Sequence, residues 1–243
     1  MDTKEFMVDE RPEMPFEQFG TLHLICLIFT IIVLVLVFFY RGRIRKINRK
    51  TILTILYVAA SIMLLNQAIR YITLFYYGKF DFNDNLPIHL CYLSGFLFMF
   101  AILFKKHNLL KYTYFLSFIG PIPAIVWPGL VSSLDSFVFY NYTISHHFFL
   151  MSSFFAFFAL KIKIKYIDII ILFVVTNMIF FATIGFNNVF GTNYMFSSEI
   201  PGRVRETLPF LNHFHPVLIL ELMGLAIIHI LFLISYKTNK EIR

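Results

Sequence analysis

The chain alternates long apolar blocks with short polar connections, and this pattern predicts a bundle of membrane-spanning helices. A hydrocarbon core of about 30 Å is crossed by roughly 20 apolar residues of helix. Because backbone polar groups in lipid must be paired within their own segment, helices are predicted rather than open strands. We predict seven spans, over residues 20–40, 51–77, 87–104, 111–131, 143–160, 166–186 and 210–236. The expected fold class is therefore all-α, a polytopic membrane protein.

Composition supports this class and charge gives it a direction. Of 243 residues, 58% are hydrophobic and only 14% are charged, which is typical of an integral membrane protein. Most lysines and arginines fall after the first, third, fifth and seventh predicted spans, so the positive-inside rule places the N-terminus outside and the C-terminus in the cytoplasm. The net charge of +7 then suits anionic lipid head groups better than nucleic acid.

The same pattern divides the chain into three parts. We expect an extracytoplasmic segment over residues 1–19, a seven-helix transmembrane domain over 20–236 and a cytoplasmic tail over 237–243. The connection over residues 187–209 is long for a simple link, which is typical of a functional loop, although a loop of this length also suits a cap on the bundle.

Polar side chains within the spans fall almost entirely in the predicted outer half. Such groups are costly in lipid and usually face the bundle interior. The set comprises His23, Cys26, Gln67, Arg70, His89, Cys91, Ser145, His146, His147, Asn177, His213, His215 and Glu221. The asymmetry argues against a polar path through the whole bilayer and predicts a cavity open to the outer leaflet. The alternative is that these residues only anchor helices among the head groups.

Arg70 is the costliest of these residues, because it lies one or two turns below the predicted outer end of its helix. One interpretation is a salt bridge to Glu221, the one acid well inside a predicted span. The other is a clamp on a lipid phosphate, since a guanidinium matches phosphate as a bidentate fork.

Cys91 carries the most distinctive chemistry of the set. If Pro87 is the first helical residue, Cys91 lies in the first two turns, where free N–H groups and the helix dipole favour a thiolate. His89 is two positions away, about 200° around a regular helix, so it cannot share a face with Cys91 unless the turn is distorted. We therefore expect a base from another helix, with His146 the best candidate. The alternatives for Cys91 are a passive apolar residue or a disulfide with Cys26.

The sequence indicates no bound cofactor. It has no glycine-rich phosphate loop, and a metal site built from the scattered histidines His23, His89, His146 and His213 would lack the close ligand spacing typical of such sites. We predict membrane lipids as the partners of the protein, no nucleic acid, and no metal.

Four segments carry a resemblance to a known family. They are Phe16–His23 (FEQFGTLH), Leu86–Cys91 (LPIHLC), Ser145-His146 and Gly191–Phe196 (GTNYMF). In this order and spacing they resemble the YwaF family of bacterial integral membrane proteins, which is related to a eukaryotic membrane acyltransferase acting on ether phospholipids. The chain departs from the family pattern at His147, where glycine is usual, and at Phe196, where tyrosine is usual.

The resemblance implies a seven-helix bundle in a bacterial plasma membrane. Through the eukaryotic relative it also implies a cysteine that carries an acyl group with histidine assistance, which matches Cys91 with His89 beside it. Since the bacterial family is distant from that relative, the enzymatic inference is an analogy.

Combining both lines, we expect acyl transfer on a lipid or lipid-linked substrate at the outer leaflet. Cys91 attacks an acyl ester, His146 or His89 moves protons, and Asn193 or backbone N–H groups hold the oxyanion. The predicted substrate-binding residues are Arg70, Gln67, His23, Ser145, Asn177, Asn193, Tyr194 and Glu221. The competing hypothesis is a non-enzymatic lipid-binding or transport component whose polar cavity holds a ligand, and a third is a hydrolase that uses water as the acceptor.

Overall fold

The computed structural model describes residues 3–8, 14–131 and 133–240. Within these ranges the regular secondary structure is helical, with no strand. The prediction of an all-helical membrane protein is confirmed at this level.

The helices follow one another along the chain with short connections. The α-helices of the described residues are α1 (Thr3–Val8), α2 (Thr21–Phe39), α3 (Arg41–Ile44), α4 (Arg49–Tyr76), α5 (Leu90–Leu103), α6 (Leu110–Ile119), α7 (Pro121–Val126), α8 (Phe137–Thr143), α9 (Phe149–Ala159), α10 (Tyr166–Phe190), α11 (Gly202–Thr207) and α12 (Pro216–Lys240). Short 3₁₀ turns occupy His107–Leu109, Tyr194–Phe196 and Pro209–His213, and a π-helical turn, Ile144–Phe148, joins α8 to α9.

Within the described ranges, five helices are long and apolar enough to cross a membrane. They are α2, α4, the run His107–Val126 that contains α6 and α7, α10 and α12. Helix α5 is apolar but shorter. The count of seven spans and the orientation of the termini therefore stay predictions.

Two boundaries differ from expectation in ways that matter for the site. Helix α5 starts at Leu90 rather than Pro87, because His89 is extended (φ −63°, ψ 144°) and forms the N-cap. Helix α12 starts at Pro216, so the expectation that His213 and His215 belong to the last span is wrong. A 3₁₀ turn and an extended Phe214 precede that helix instead.

The core forms where α4, α5, α6 and α9 meet. One cluster packs Leu56 and Phe98 against Phe149, and a second centres on Tyr114, whose ring stacks on Phe157 with centroids 4.0 Å apart. Helices α10 and α12 pack against α6 on the outside of this core. The start of α5, the α6–α7 junction and the π-helical turn are thereby brought together beside it.

Candidate functional site

The start of α5 sets the position of the Cys91 thiol. Because the helix begins at Leu90, Cys91 is its second residue, closer to the N-terminus than predicted. The backbone N–H groups of Cys91 and Tyr92 lie within hydrogen-bonding reach of the sulfur. The first N–H groups of a helix have no partner inside it, and they favour negative charge. The local backbone therefore offers hydrogen-bond donors to an oxyanion that forms beside the sulfur.

Gly120, between α6 and α7, brings a second backbone segment against the same place. A Cβ atom added at Gly120 would lie 2.9 Å from the Cys91 nitrogen and 3.1 Å from its Cα atom. Contacts this short are not found for real Cβ atoms, so only glycine permits this approach without movement. Gly120 was not predicted as a site residue, because one sequence carries no signal for a close approach between helices.

On one side, Cys91 lines a cavity of about 270 Å³ whose walls are mainly apolar. Residues of α6, α7, α10, α11 and α12 contribute to the walls, and so does His89. His89 and Cys91 thus face one cavity. The predicted separation by helix geometry applies only within a regular helix, and His89 precedes the helix rather than lying within it.

Cys91 also lines a pocket of about 10 Å³, in which polar side chains form a larger share of the walls. This polar pocket includes Gln67 from α4 and both Ser145 and His146 from the π-helical turn. All three are buried, with exposed fractions of 9% or less. The Ser145 hydroxyl oxygen accepts hydrogen bonds from Gln67 Nε2 at 2.7 Å and Asn66 Nδ2 at 3.2 Å.

The tautomer of His146 is fixed by its own helix. Its Nδ1 atom lies 2.9 Å from the backbone carbonyl oxygen of Tyr142, four residues earlier. A carbonyl only accepts, so Nδ1 carries the proton and Nε2 keeps its lone pair. The Tyr142 ring lies against the imidazole, with centroids 4.1 Å apart, and the Tyr142 hydroxyl donates to the carbonyl of Ala124 at 2.7 Å. His146 is therefore held as a neutral acceptor at Nε2.

His89 is held in the opposite tautomer. Its Nδ1 atom accepts a hydrogen bond from the backbone N–H of Met195 at 3.2 Å, so the ring proton of neutral His89 is on Nε2. The rings of Tyr194 and Phe196 pack against it at 5.2 and 5.1 Å. His89 is thus a hydrogen-bond donor at the cavity wall, whereas His146 is an acceptor.

The loop that contacts His89 is strained. Met195 and Phe196 both have positive φ, at 56° and 57°, which is costly for side chains of this size. Asn187 holds this conformation, since its Nδ2 donates to the Tyr194 carbonyl at 2.8 Å and its Oδ1 accepts from the Tyr194 N–H at 3.0 Å. Asn187 was not predicted as a site residue, although it lies in the long connection singled out from its length.

Tyr194 ties this loop to the segment before α5. Its hydroxyl donates to the Phe82 carbonyl at 2.5 Å and accepts from the Leu86 N–H at 3.0 Å. Burial raises the pKa of the Tyr194 phenol, which keeps the proton on the donor. The predicted binding residue Tyr194 therefore positions the approach to His89 rather than lining the large cavity.

The other predicted binding residues divide between the cavity and the surrounding framework. Asn177 and Glu221 line the large cavity. His23 does not: its Nδ1 accepts from the Phe19 N–H and its Nε2 donates to the Ile125 carbonyl, both at 2.8 Å. The Asn193 amide is used inside its own loop, where Oδ1 accepts from the N–H groups of residues 198 and 199 and Nδ2 donates to the carbonyl of residue 199. His23 and Asn193 thus act as framework residues.

Arg70 lies on α4 beside Tyr92 and lines neither cavity. Its guanidinium lies close enough to the Tyr92 hydroxyl to interact with it. Among the described residues it forms no ion pair with Glu221, so the salt-bridge interpretation is not what the structure adopts. Trp127, which was not predicted, adds a donor at the large cavity, because its buried indole N–H has no partner in the described part of the chain.

The remaining alternatives concern sulfur and metals. Cys26 and Cys91 are both free thiols, so the disulfide is not formed. Cys26 packs instead against the apolar cluster of Phe16, Leu130 and Phe139. Across the described ranges, no group of three or more histidine, cysteine, aspartate or glutamate side chains is placed to hold a metal ion.

Five helices long and apolar enough to cross a membrane, within the described ranges, indicate a multi-pass membrane protein. Comparison with known families makes this more specific, since the sequence model of the TMEM164 family matches residues 18–234. The chain belongs to the TMEM164 family. No curated protein and no solved structure matches it.

Proposed function

We propose that the protein is a membrane acyltransferase that uses Cys91 as its nucleophile on a lipid or lipid-linked ester. The observation that carries this proposal is the position of Cys91 between an apolar cavity of about 270 Å³ and the polar pocket that holds His146. An acyl chain suits the first environment and proton transfer suits the second. The resemblance to the YwaF family and its eukaryotic acyltransferase relative adds support by analogy.

In the first step, the Cys91 thiol attacks the carbonyl carbon of the donor ester. Its proton passes to His146 Nε2. This nitrogen has a free lone pair, because the ring proton is on Nδ1 and is donated to the Tyr142 carbonyl. A carbon–sulfur bond forms and the carbon–oxygen bond of the ester breaks. The departing alkoxide takes the proton back from His146, which leaves a thioester on Cys91.

In the second step, the hydroxyl of the acceptor attacks the thioester carbonyl. His146 takes the hydroxyl proton, a new carbon–oxygen bond forms, and the carbon–sulfur bond breaks. The proton then returns to the Cys91 sulfur. The acyl group moves from the ester of one alcohol to the hydroxyl of another, so the exchange balances without a cofactor.

The oxyanion of both steps has better donors than Asn193, whose amide is used within its loop. The backbone N–H groups at the start of α5 lie beside the sulfur, and His89 presents an Nε2 proton at the same cavity. Fixed donors aimed at developing charge are typically the largest single contribution to such catalysis. We assign His89 to this role and the base to His146.

Arg70 is proposed as the residue that attracts a phosphate-bearing head group. Its guanidinium lies near the Tyr92 phenol, and in the described part of the chain it forms no ion pair with a carboxylate. Since Arg70 lines neither cavity, this head group lies on the α4 side of Tyr92.

The topology belongs to the same proposal. In this proposal seven helical segments cross the membrane. They are the five long helices together with α5 and the continuous run of α8, the π-helical turn and α9. The N-terminus then lies outside. The basic residues of α3 and of the segments before α6 and α10 then form the cytoplasmic face of a bacterial plasma membrane.

The test is labelling of purified protein with an activated acyl probe, followed by intact mass. Wild type and Cys26→Ser are expected to gain one acyl group that hydroxylamine removes, whereas Cys91→Ser gains none. Labelling that survives Cys91→Ser would contradict the proposal. Lipid binding without any adduct in wild type would favour the non-enzymatic lipid-binding component instead.

A further inference from the structure

The polar pocket contains a buried oxygen that no contact accounts for. Gln67 is 8% exposed, and its Oε1 atom has no hydrogen-bond partner within the described ranges. Buried carbonyl oxygens are nearly always paired, and leaving one unpaired costs free energy. The amide is nevertheless held in place, because Nε2 donates to the Ser145 hydroxyl oxygen at 2.7 Å.

The surroundings of this oxygen match the requirements of one water molecule. The pocket has a volume of about 10 Å³, and a site for a single water needs roughly this volume with two to four polar partners. Gln67 Oε1 and His146 Nε2 are acceptors. The Ser145 hydroxyl already accepts from two amides, so its own proton is available as a donor.

We propose that the protein has a second activity, hydrolysis of the Cys91 thioester by a water molecule held at Gln67. This inference rests on the proposed acyl-enzyme. The water donates one proton to Gln67 Oε1 and the other to His146 Nε2, and its oxygen attacks the thioester carbonyl. A carbon–oxygen bond forms and the carbon–sulfur bond breaks. His146 returns the proton to sulfur, so that a free fatty acid and the Cys91 thiol are the products.

The two cavities differ in size, and this difference distinguishes hydrolysis of the thioester from acyl transfer to an alcohol. A space of about 10 Å³ admits water but excludes the alcohol of a lysolipid or glycan acceptor. The acceptor must therefore approach from the large cavity. Water is then held on the pocket side of Cys91 and the acceptor enters from the cavity side, and Gln67 acts as the positioning residue for water alone.

The experiment follows the fate of a preformed thioester in full-length protein in lipid nanodiscs. Protein acylated at Cys91 with a radiolabelled probe is mixed with lysophospholipid in H₂¹⁸O, and free fatty acid and diacylated lipid are measured together. Gln67→Met keeps the length of the side chain but removes both the Oε1 acceptor and the Nε2 donor to Ser145. We expect it to lower the ratio of hydrolysis to transfer about tenfold, the size of effect typical for the loss of one positioning hydrogen bond.

Gln67→Glu keeps an acceptor oxygen and loses only the Nε2 donor to Ser145, so it is the matched control, with a ratio expected within about threefold of wild type. A solely structural role would slow both reactions together and leave the ratio unchanged in Gln67→Met, which would overturn the inference. An unchanged ratio with normal rates would overturn it too. If wild type forms no adduct at all, the proposed function itself fails, and that result is seen before any ratio is measured.

Discussion

The two sides of the Cys91 thiol differ in size, polarity and origin. The large cavity is built mainly by apolar residues of helices that form the outside of the bundle, whereas the polar pocket lies among α4, α5 and the π-helical turn. The large space suits an acyl chain, and the small one suits protons and water. One sulfur atom between two such spaces can receive a substrate from one side and its proton acceptor from the other.

The polar side is tested most severely at His146. Because Nε2 is the proposed proton acceptor for both steps, His146→Gln is expected to lower the rate of Cys91 acylation by about 10² to 10⁴, the range for loss of a general base. The rate is measured by mass spectrometry as the half-time of adduct formation.

The neighbouring His147 provides a matched control. It is buried in the same π-helical turn, but its Nδ1 bonds the Thr30 hydroxyl at 2.8 Å and it lines neither the large cavity nor the polar pocket. His147→Gln should acylate within about threefold of wild type, because it loses a hydrogen bond rather than a proton acceptor. Equal losses in the two variants would mean that the turn, rather than the His146 imidazole, supports the reaction.

Gly120 allows the α6–α7 junction to approach the start of α5 closely beside Cys91. A methyl group there would meet the Cys91 nitrogen and Cα at 2.9 and 3.1 Å, so Gly120→Ala must push α5 and α7 apart. Overpacking of this kind costs about 1–3 kcal/mol. We expect acylation to slow by about tenfold or more, because that cost shifts the start of α5 and the N–H groups beside the sulfur.

Gly185 in α10 is the control for this change, since nothing lies within 4 Å of a Cβ added there. Gly185→Ala should leave the acylation rate unchanged and raise the thermal midpoint slightly, since alanine is a better helix former than glycine by about 1 kcal/mol. A Gly120→Ala protein that acylates as fast as Gly185→Ala would show that the close approach is not required.

The sequence predicted the polar side better than the geometry around Cys91. Burial of polar groups in apolar spans identified Gln67, Ser145 and His146, because such groups need partners in lipid. The prediction that Pro87 starts the helix, with His89 inside it, was wrong, because the helix begins at Leu90 and His89 is its N-cap. The preference of proline for the first turn of a helix predicted Pro87 as the first helical residue. The hydrogen bond from the Met195 N–H to His89 Nδ1 accompanies an extended backbone at His89, and this contact between distant residues is not visible in the local sequence.

Other parts of the site depend on contacts between distant segments. The Gly120 approach joins two helices, and the Asn187 network folds a loop back on the end of its own helix. The amide of Asn193 was a reasonable oxyanion donor from its residue type alone. Only the fold shows that both ends of that amide are used within seven residues of chain.

The apolar side is tested by reducing its volume. Gly224 of α12 lines the large cavity, and the nearest atom to a Cβ added there is Ile119 Cγ2 at 4.0 Å. Gly224→Phe therefore places a ring in the cavity without displacing backbone. Each buried methylene contributes about 0.8 kcal/mol, so excluding one or two of them should lower acylation by a long-chain probe by about fourfold to fifteenfold. Acylation by a butyryl probe should be unaffected, because a short chain does not need that volume.

Gly185→Phe adds the same ring to α10, outside the cavity, and should change neither rate. The ratio of long-chain to butyryl labelling therefore separates the loss of cavity volume from a general disturbance of the bundle, which would lower both rates together. If Gly224→Phe leaves that ratio unchanged, the acyl chain does not occupy the large cavity. The two sides of Cys91 would then have to be assigned differently, because the polar pocket is too small to hold an acyl chain.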